Sequence, residues 1–132
     1  MAQNLLEQLR TYTTVVADTG DIEAMEKFRP TDATTNPSLI TTAAQMPQYQ
    51  PIVDSVIMDA KKELGDSASD KDVANLAFQG LAIALGKKIL AIVPGRVSAE
   101  VDARLSYDTE GTIAMSRSII AQYDKAKVGR EH

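Results

Sequence analysis

The chain has 132 residues, with 14 Lys and Arg against 18 Asp and Glu, a net charge of −4, 44% hydrophobic residues and no cysteine. That length makes one domain, and the composition is that of a globular chain and not of a disordered or fibrous one. The acidic balance leaves no phosphate-neutralising excess for nucleic acid or an anionic membrane, and the missing cysteines exclude disulfides, thiolate nucleophiles and Cys-ligated metal clusters.

Met1 to Glu7 shows neither the basic nor the apolar segment of a secretory signal, and no apolar run approaches the ~20 residues of a membrane span. The expectation is a soluble cytoplasmic protein, or a stromal one without its targeting peptide, with no membrane partner. Asn4 to Thr11 then sets Leu5, Leu6 and Leu9 on one helical stripe behind an Asn4 N-cap. Tyr12 to Ala17 is β-branched and aromatic, which predicts a buried strand ending at the turn Asp18-Thr19-Gly20-Asp21. Asp21 caps a short helix through Lys27, and Pro30 stops it. Asp32 to Asn36 is a second short strand, with Pro37 at the first position of the helix that runs on to Gln45.

A longer helix spans roughly Gln48 to Leu64, with Pro51 in its first turn. Gly65 to Ser69 is a polar loop, and Ser69-Asp70-Lys71-Asp72 resembles a capping box with Asp in place of Glu. The helix behind it carries Val73, Leu76, Ala77, Leu81, Ala84 and Leu85 at 3–4 spacing and extends as far as Val93, with Gly86 placed to bend or split it. Pro94-Gly95 breaks the chain. Arg96 to Val101 alternates polar and apolar residues, a third strand, and Asp108 caps a last helix to about Lys125. Strands alternating with helices make an α/β fold with a parallel sheet and right-handed crossovers.

Such sheets carry their chemistry at the C-terminal strand ends, which here hold Asp18, Asn36 and Glu100. Each has a plain structural reading beside the functional one. Asp18 serves as a turn carboxylate or as a site acid/base, and Asn36 caps a helix or aims its amide at a ligand hydroxyl. Glu100 shares one strand face with Arg96, Ser98 and Asp102. That face is an intrastrand ion-pair network or a polar lumen, and Arg104 lies within reach of Asp102. The single histidine is His132, so His bases and multi-His metal sites find no support, and no metal or cofactor is expected. The eight lysines, at 27, 61, 62, 71, 87, 88, 125 and 127, all read as helix-surface or helix-terminal residues. A Schiff-base lysine needs a desolvated or cation-crowded site, and none of the eight falls in a strand. The scattered Met25, Met46, Met58 and Met115 read as core filler.

Three stretches together resemble transaldolase: Tyr12 to Asp21 (YTTVVADTGD), Asp32 to Ile40 (DATTNPSLI) and Pro94 to Tyr107 (PGRVSAEVDARLSY). The spacing between them and the intervening Ala44-Gln45-Met46-Pro47-x-Tyr49 also agree, and the resemblance runs from Leu5 to the end. It is to the long transaldolases and not to the shorter fructose-6-phosphate aldolase type. The resemblance implies part of an eight-stranded (β/α)8 barrel, three βα units behind an N-terminal helix, as one truncated domain over residues 1–132. It implies transfer of a dihydroxyacetone unit between ketose and aldose phosphates in the pentose phosphate pathway, through a Schiff base on lysine and without a metal. Matched residue by residue, Asp18 corresponds to the acid/base for the hydroxyl whose deprotonation cleaves the C–C bond. Asn36, with Thr34 beside it, corresponds to the group binding the dihydroxyacetone hydroxyls. Glu100 corresponds to the carboxylate working through a water.

Two departures stand out. Ala99 replaces the family's usual Thr, on the strand face away from Glu100. A complete barrel takes about 250 residues, and the family's Schiff-base lysine lies on the fourth strand. The expectation is an acid/base set without its nucleophile, inactive as an isolated chain. Three parallel strands cannot close, so self-association or pairing with another transaldolase chain would cover their edges. The competing readings are a non-catalytic homologue that binds sugar phosphate weakly or pairs with a full-length enzyme, and a remodelled pocket using Asp18 and Glu100 without a Schiff base.

Overall fold

The structure, a computed structural model, describes residues 4–132; Met1–Gln3, part of the stretch read for a signal segment, lie outside the described residues. Among the described residues the element order is α1 (Leu5–Arg10), β1 (Val16–Asp18), α2 (Ile22–Phe28), β2 (Asp32–Thr35), α3 (Pro37–Ala44), a 3₁₀ turn at Pro47–Tyr49, α4 (Gln50–Leu64), α5 (Asp70–Leu90), β3 (Val97–Ala99), a second 3₁₀ turn at Ala103–Leu105, and α6 (Thr109–Lys125). The strands form one parallel sheet in the order β1-β2-β3, with Asp18 opposite Thr34 and Thr34 opposite Ser98.

The caps fall where short polar side chains precede apolar stripes. Asn4 and Glu7 make a reciprocal capping box, each contact 2.9 Å. Asp21 accepts from Ala24 N–H at 3.1 Å and Asp108 from Gly111 N–H at 2.9 Å. Ser69 Oγ accepts from Asp72 N–H at 3.2 Å and donates to the Asp72 carboxylate at 2.6 Å. Asp replaces Glu here by returning to the cap hydroxyl.

Helix packing supplies the core. Ala17, Ala33 and Val97 turn to one face of the sheet, against Ile22, Met25, Ile40, Leu81, Leu85 and Ile89. A satellite cluster of Ala60, Val73 and Ala77 joins α4 to α5. α5 is the spine, reaching both clusters. Its length and mean hydropathy of 1.3 meet the measure of a membrane span, although no uninterrupted apolar run that long is visible in the sequence. Val73, Ala77, Leu81, Leu85 and Ile89 are buried within this fold.

Three elements differ from the sequence reading. β1 begins at Val16 and includes Asp18, because the Tyr12 and Thr13 amides donate back to the Leu9 carbonyl and close the end of α1. α5 ends at Leu90 instead of Val93, and it is unbroken at Gly86. β3 stops at Ala99, leaving Glu100 just beyond it, and Asp102 starts the second 3₁₀ turn by accepting from Arg104 N–H at 2.8 Å. At the opposite end of the sheet, Gly95 is required by crowding. A Cβ there would overlap Asp32 Oδ1, which itself accepts from Arg96 N–H at 2.7 Å. Met25 and Met46 join the core as expected, whereas Met58 is exposed.

Candidate active site

Side chains alternate across a strand, so the face opposite the core carries Val16 and Asp18 from β1, Thr34 from β2 and Ser98 from β3. Asp18 and Ser98 are exposed and Thr34 is half-buried. Parallel register places the Thr34 hydroxyl beside the Asp18 carboxylate, and it donates to Oδ1 at 3.0 Å. That contact fixes the carboxylate through one oxygen and leaves Oδ2 to act as a proton acceptor. The turn behind Asp18 is held in turn. Thr19 Oγ1 accepts from Asp21 N–H at 3.1 Å, and the buried Tyr49 hydroxyl accepts from Ile22 N–H at 3.3 Å, at the first residue of α2. Burial raises the Tyr49 hydroxyl above its usual pKa, with nearby Asp21, Glu23 and Glu26 adding to the rise.

Thr35 lies opposite Ala99, so Asn36 and Glu100 both stand one residue beyond their strands. Asn36 Oδ1 accepts from Leu39 N–H at 2.9 Å and caps α3, with Pro37 following at the start of the helix. This engages the carbonyl and leaves the Asn36 NH₂ without a partner among the described residues. Asn36 thus caps α3 through its oxygen, and its nitrogen remains an unengaged donor. Glu100 is exposed and makes no hydrogen bond or ion pair among the described residues.

Asn36 and Glu100 line one cleft of about 770 Å³ at the ends of β2 and β3, walled by Phe78, Met115 and Arg104. Asp18 and Thr34 do not line it and stand on the open sheet face beside it. Asp102 is drawn away from Glu100: its carboxylate takes Arg104 Nε at 3.0 and 2.9 Å and Nη2 at 2.5 Å. Arg104 holds Asp102 at a pKa of about 2, first through its side-chain hydrogen bond and then through its own backbone N–H. All eight lysines are exposed, on helices or, for Lys127, in the turn after α6. Among the described residues no group of three or more acidic or histidine side chains is placed to hold a metal ion. The positioning contacts of Thr34 and Tyr49 carry no local sequence signal, because each joins residues far apart in the chain.

Fold and strand-end residues define a parallel α/β protein with carboxylate, amide and hydroxyl groups gathered at the C-terminal edge of its sheet. Residues 15–129 match the Transaldolase/Fructose-6-phosphate aldolase family, and the chain belongs to that family. It is 68% identical over 131 residues to a transaldolase of Acidobacterium capsulatum, 64% to one of Nostoc punctiforme and 65% to one of a Synechocystis strain. Each alignment covers 99% of this chain but only 39%, 39% and 34% of the respective relative. The chain thus spans little more than a third of the length of those proteins.

Proposed function

We propose that this chain supplies the acid/base and hydroxyl-binding part of a transaldolase site, set in the first three βα units of a (β/α)8 barrel. The observation that carries the reading is the Asp18–Thr34 contact in strand register, level with the strand ends that present Asn36 and Glu100. In this reading Asp18 Oδ2 takes the proton of the ketose hydroxyl as the adjacent C–C bond breaks. The bond's electrons pass to the iminium formed with a lysine. The Asn36 NH₂ donates to the dihydroxyacetone hydroxyls, and Glu100 moves protons through a water during formation and hydrolysis of that iminium. The substrates are ketose and aldose phosphates, the reaction belongs to the pentose phosphate pathway, and the protein works in the cytoplasm.

None of the eight exposed lysines meets the requirement of a desolvated nucleophile, so these 132 residues alone are inactive in this reading. The test has two arms. In the first, residues 4–132 replace the matching part of the Acidobacterium capsulatum transaldolase, and the chimera transfers dihydroxyacetone from fructose 6-phosphate. Asp18→Asn in that chimera lowers kcat by about 10²–10⁴-fold without altering its circular dichroism. An inactive but folded chimera, or an Asp18→Asn variant of normal rate, refutes the assignment. In the second, borohydride reduction of the 132-residue chain with fructose 6-phosphate leaves its intact mass unchanged; a reduced adduct would mean that one of the eight lysines is the nucleophile.

A further inference from the structure

We propose that Tyr49 is a positioning residue for the Asp18 carboxylate, acting through the turn that joins β1 to α2. In this role the segment from Asn36 to Tyr49 braces that turn and sets the spacing of Asp18 from Asn36. The role rests on the reading of Asp18 and Asn36 given above.

Asp18 ends β1 and Ile22 opens α2, so the carboxylate stands at the start of the short turn Thr19-Gly20-Asp21. A connecting turn moves more freely than the elements it joins, and a reacting group displaced by about 1 Å loses much of its rate. Thr34 holds the carboxylate from the side of β2. The other end of the turn is held from farther along the chain. Ile22 N–H is one of the first-turn donors that a helix leaves without an internal partner. The Asp21 cap is engaged on Ala24 N–H, and the Tyr49 hydroxyl, 27 positions beyond Ile22, accepts from Ile22 N–H at 3.3 Å. Ile22 and Tyr49 are both buried, so solvent is poorly placed to replace that hydroxyl.

Gly20 supplies the second contact. A Cβ there would stand 3.0 Å from the Leu39 carbonyl oxygen and 3.6 Å from the Ala43 Cβ, so the turn lies directly on the backbone of α3. The cavity left between them is about 10 Å³, at the lower limit for a single water. Leu39 links the two strand ends: its carbonyl abuts Gly20, and its N–H donates to Asn36 Oδ1 at 2.9 Å. Beyond α3 the backbone stays bonded as far as Tyr49. Gln45 N–H donates to the Thr42 carbonyl at 3.1 Å, Met46 to Ala43 at 3.0 Å and Tyr49 to Met46 at 3.0 Å. One body therefore carries the Asn36 amide at its start and the Tyr49 hydroxyl at its end, and the Asp18 turn is fixed to it at Gly20 and Ile22.

Removing the Tyr49 hydroxyl releases the Ile22 end and leaves the packing of the ring and the Asn36 cap in place. Proton removal by Asp18 slows while hydroxyl binding by Asn36 persists, which is a loss in kcat without a rise in KM. The same change leaves Ile22 N–H unpaired and lowers stability, so stability alone does not separate a positioning role from a structural one.

The test uses the chimera with the Acidobacterium capsulatum transaldolase. Tyr49→Phe is expected to lower kcat for fructose 6-phosphate about tenfold and to leave KM within about twofold of the parent. In the Asp18→Asn background the same substitution leaves kcat where Asp18→Asn put it, because the group being positioned is no longer the acceptor. Gly20→Ala pushes the turn away from α3 at the other contact and is expected to give the same pattern; it carries the test where Tyr49→Phe does not fold. A parent kcat in Tyr49→Phe, a rise in KM that accounts for the loss, or an equal fold-loss in both backgrounds overturns the positioning role while Asp18→Asn stays slow. Asp18→Asn at the parent rate refutes the reading of Asp18, and the positioning role falls with it.

Discussion

Asp102 and Arg104 show how much one residue's charge state depends on a neighbour two positions away. Their pairing was readable from the sequence, since a two-residue spacing at a strand exit brings such groups together. The Asp18–Thr34 contact was not readable, because it follows from the register of β1 on β2 across 16 positions. The Asp102 carboxyl lies at about 2, below its ordinary 3.8, chiefly because the Arg104 side chain donates to its charged form. A folded pKa below the unfolded one adds stability that is complete above about pH 4 and fades as pH falls through about 2. A carbon-13 carboxyl titration is expected to show Asp102 changing charge near pH 2. Arg104→Gln moves that midpoint upward while leaving it below the ordinary value, because the backbone N–H of residue 104 still donates. An unmoved midpoint would show that the side-chain contact does not set it.

At the scale of elements, helix starts were legible and strand lengths were not. Asn4, Asp21, Asn36, Ser69 and Asp108 all cap as their positions predict, because a cap is a local exchange between a side chain and an amide three residues on. β1 came out shorter than its β-branched and aromatic run and β3 shorter than its alternating one, since pairing partners and competing turn contacts decide where a ladder ends. Gly86 belongs with the illegible features. It neither bends nor splits α5 but lets α6 approach: a Cβ there would overlap the Tyr123 hydroxyl oxygen and lie 3.2 Å from Cζ. That hydroxyl is buried without a hydrogen-bond partner, and burial pushes its pKa up. Tyr123→Phe therefore removes an unsatisfied group and is expected to raise stability by about 1 kcal/mol in urea titration. Gly86→Ala alone lowers stability by about 1–3 kcal/mol, and much of that loss disappears in the Tyr123→Phe background, where the nearest atom is gone. Additive effects in this double-mutant cycle would place the clash elsewhere.

For the whole molecule, the sheet has one packed face and one bare face, and this asymmetry sets its stability. The sequence showed apolar alternation in its third strand but not which face would lie uncovered, because that depends on what packs against the sheet. Leu5 is 84% exposed and Val16, on the bare face, 46% exposed, so large apolar side chains remain in water. The larger of the two buried clusters lies between the sheet and its helices, and Leu81 of α5, 4% exposed, belongs to it together with Met25, Ile40 and Leu85. Truncating such a leucine costs roughly 2–5 kcal/mol through lost transfer energy and the cavity left behind. Compact domains have only about 5–15 kcal/mol in total, and a chain with this much exposed surface belongs at the low end. Leu81→Ala is accordingly expected to abolish a cooperative thermal transition in the isolated chain. Met58→Ala, at a side chain 71% exposed, leaves the transition where it was. A Leu81→Ala variant that still melts sharply, within a few degrees of the parent, would show that the α5 layer does not carry the stability of this fold.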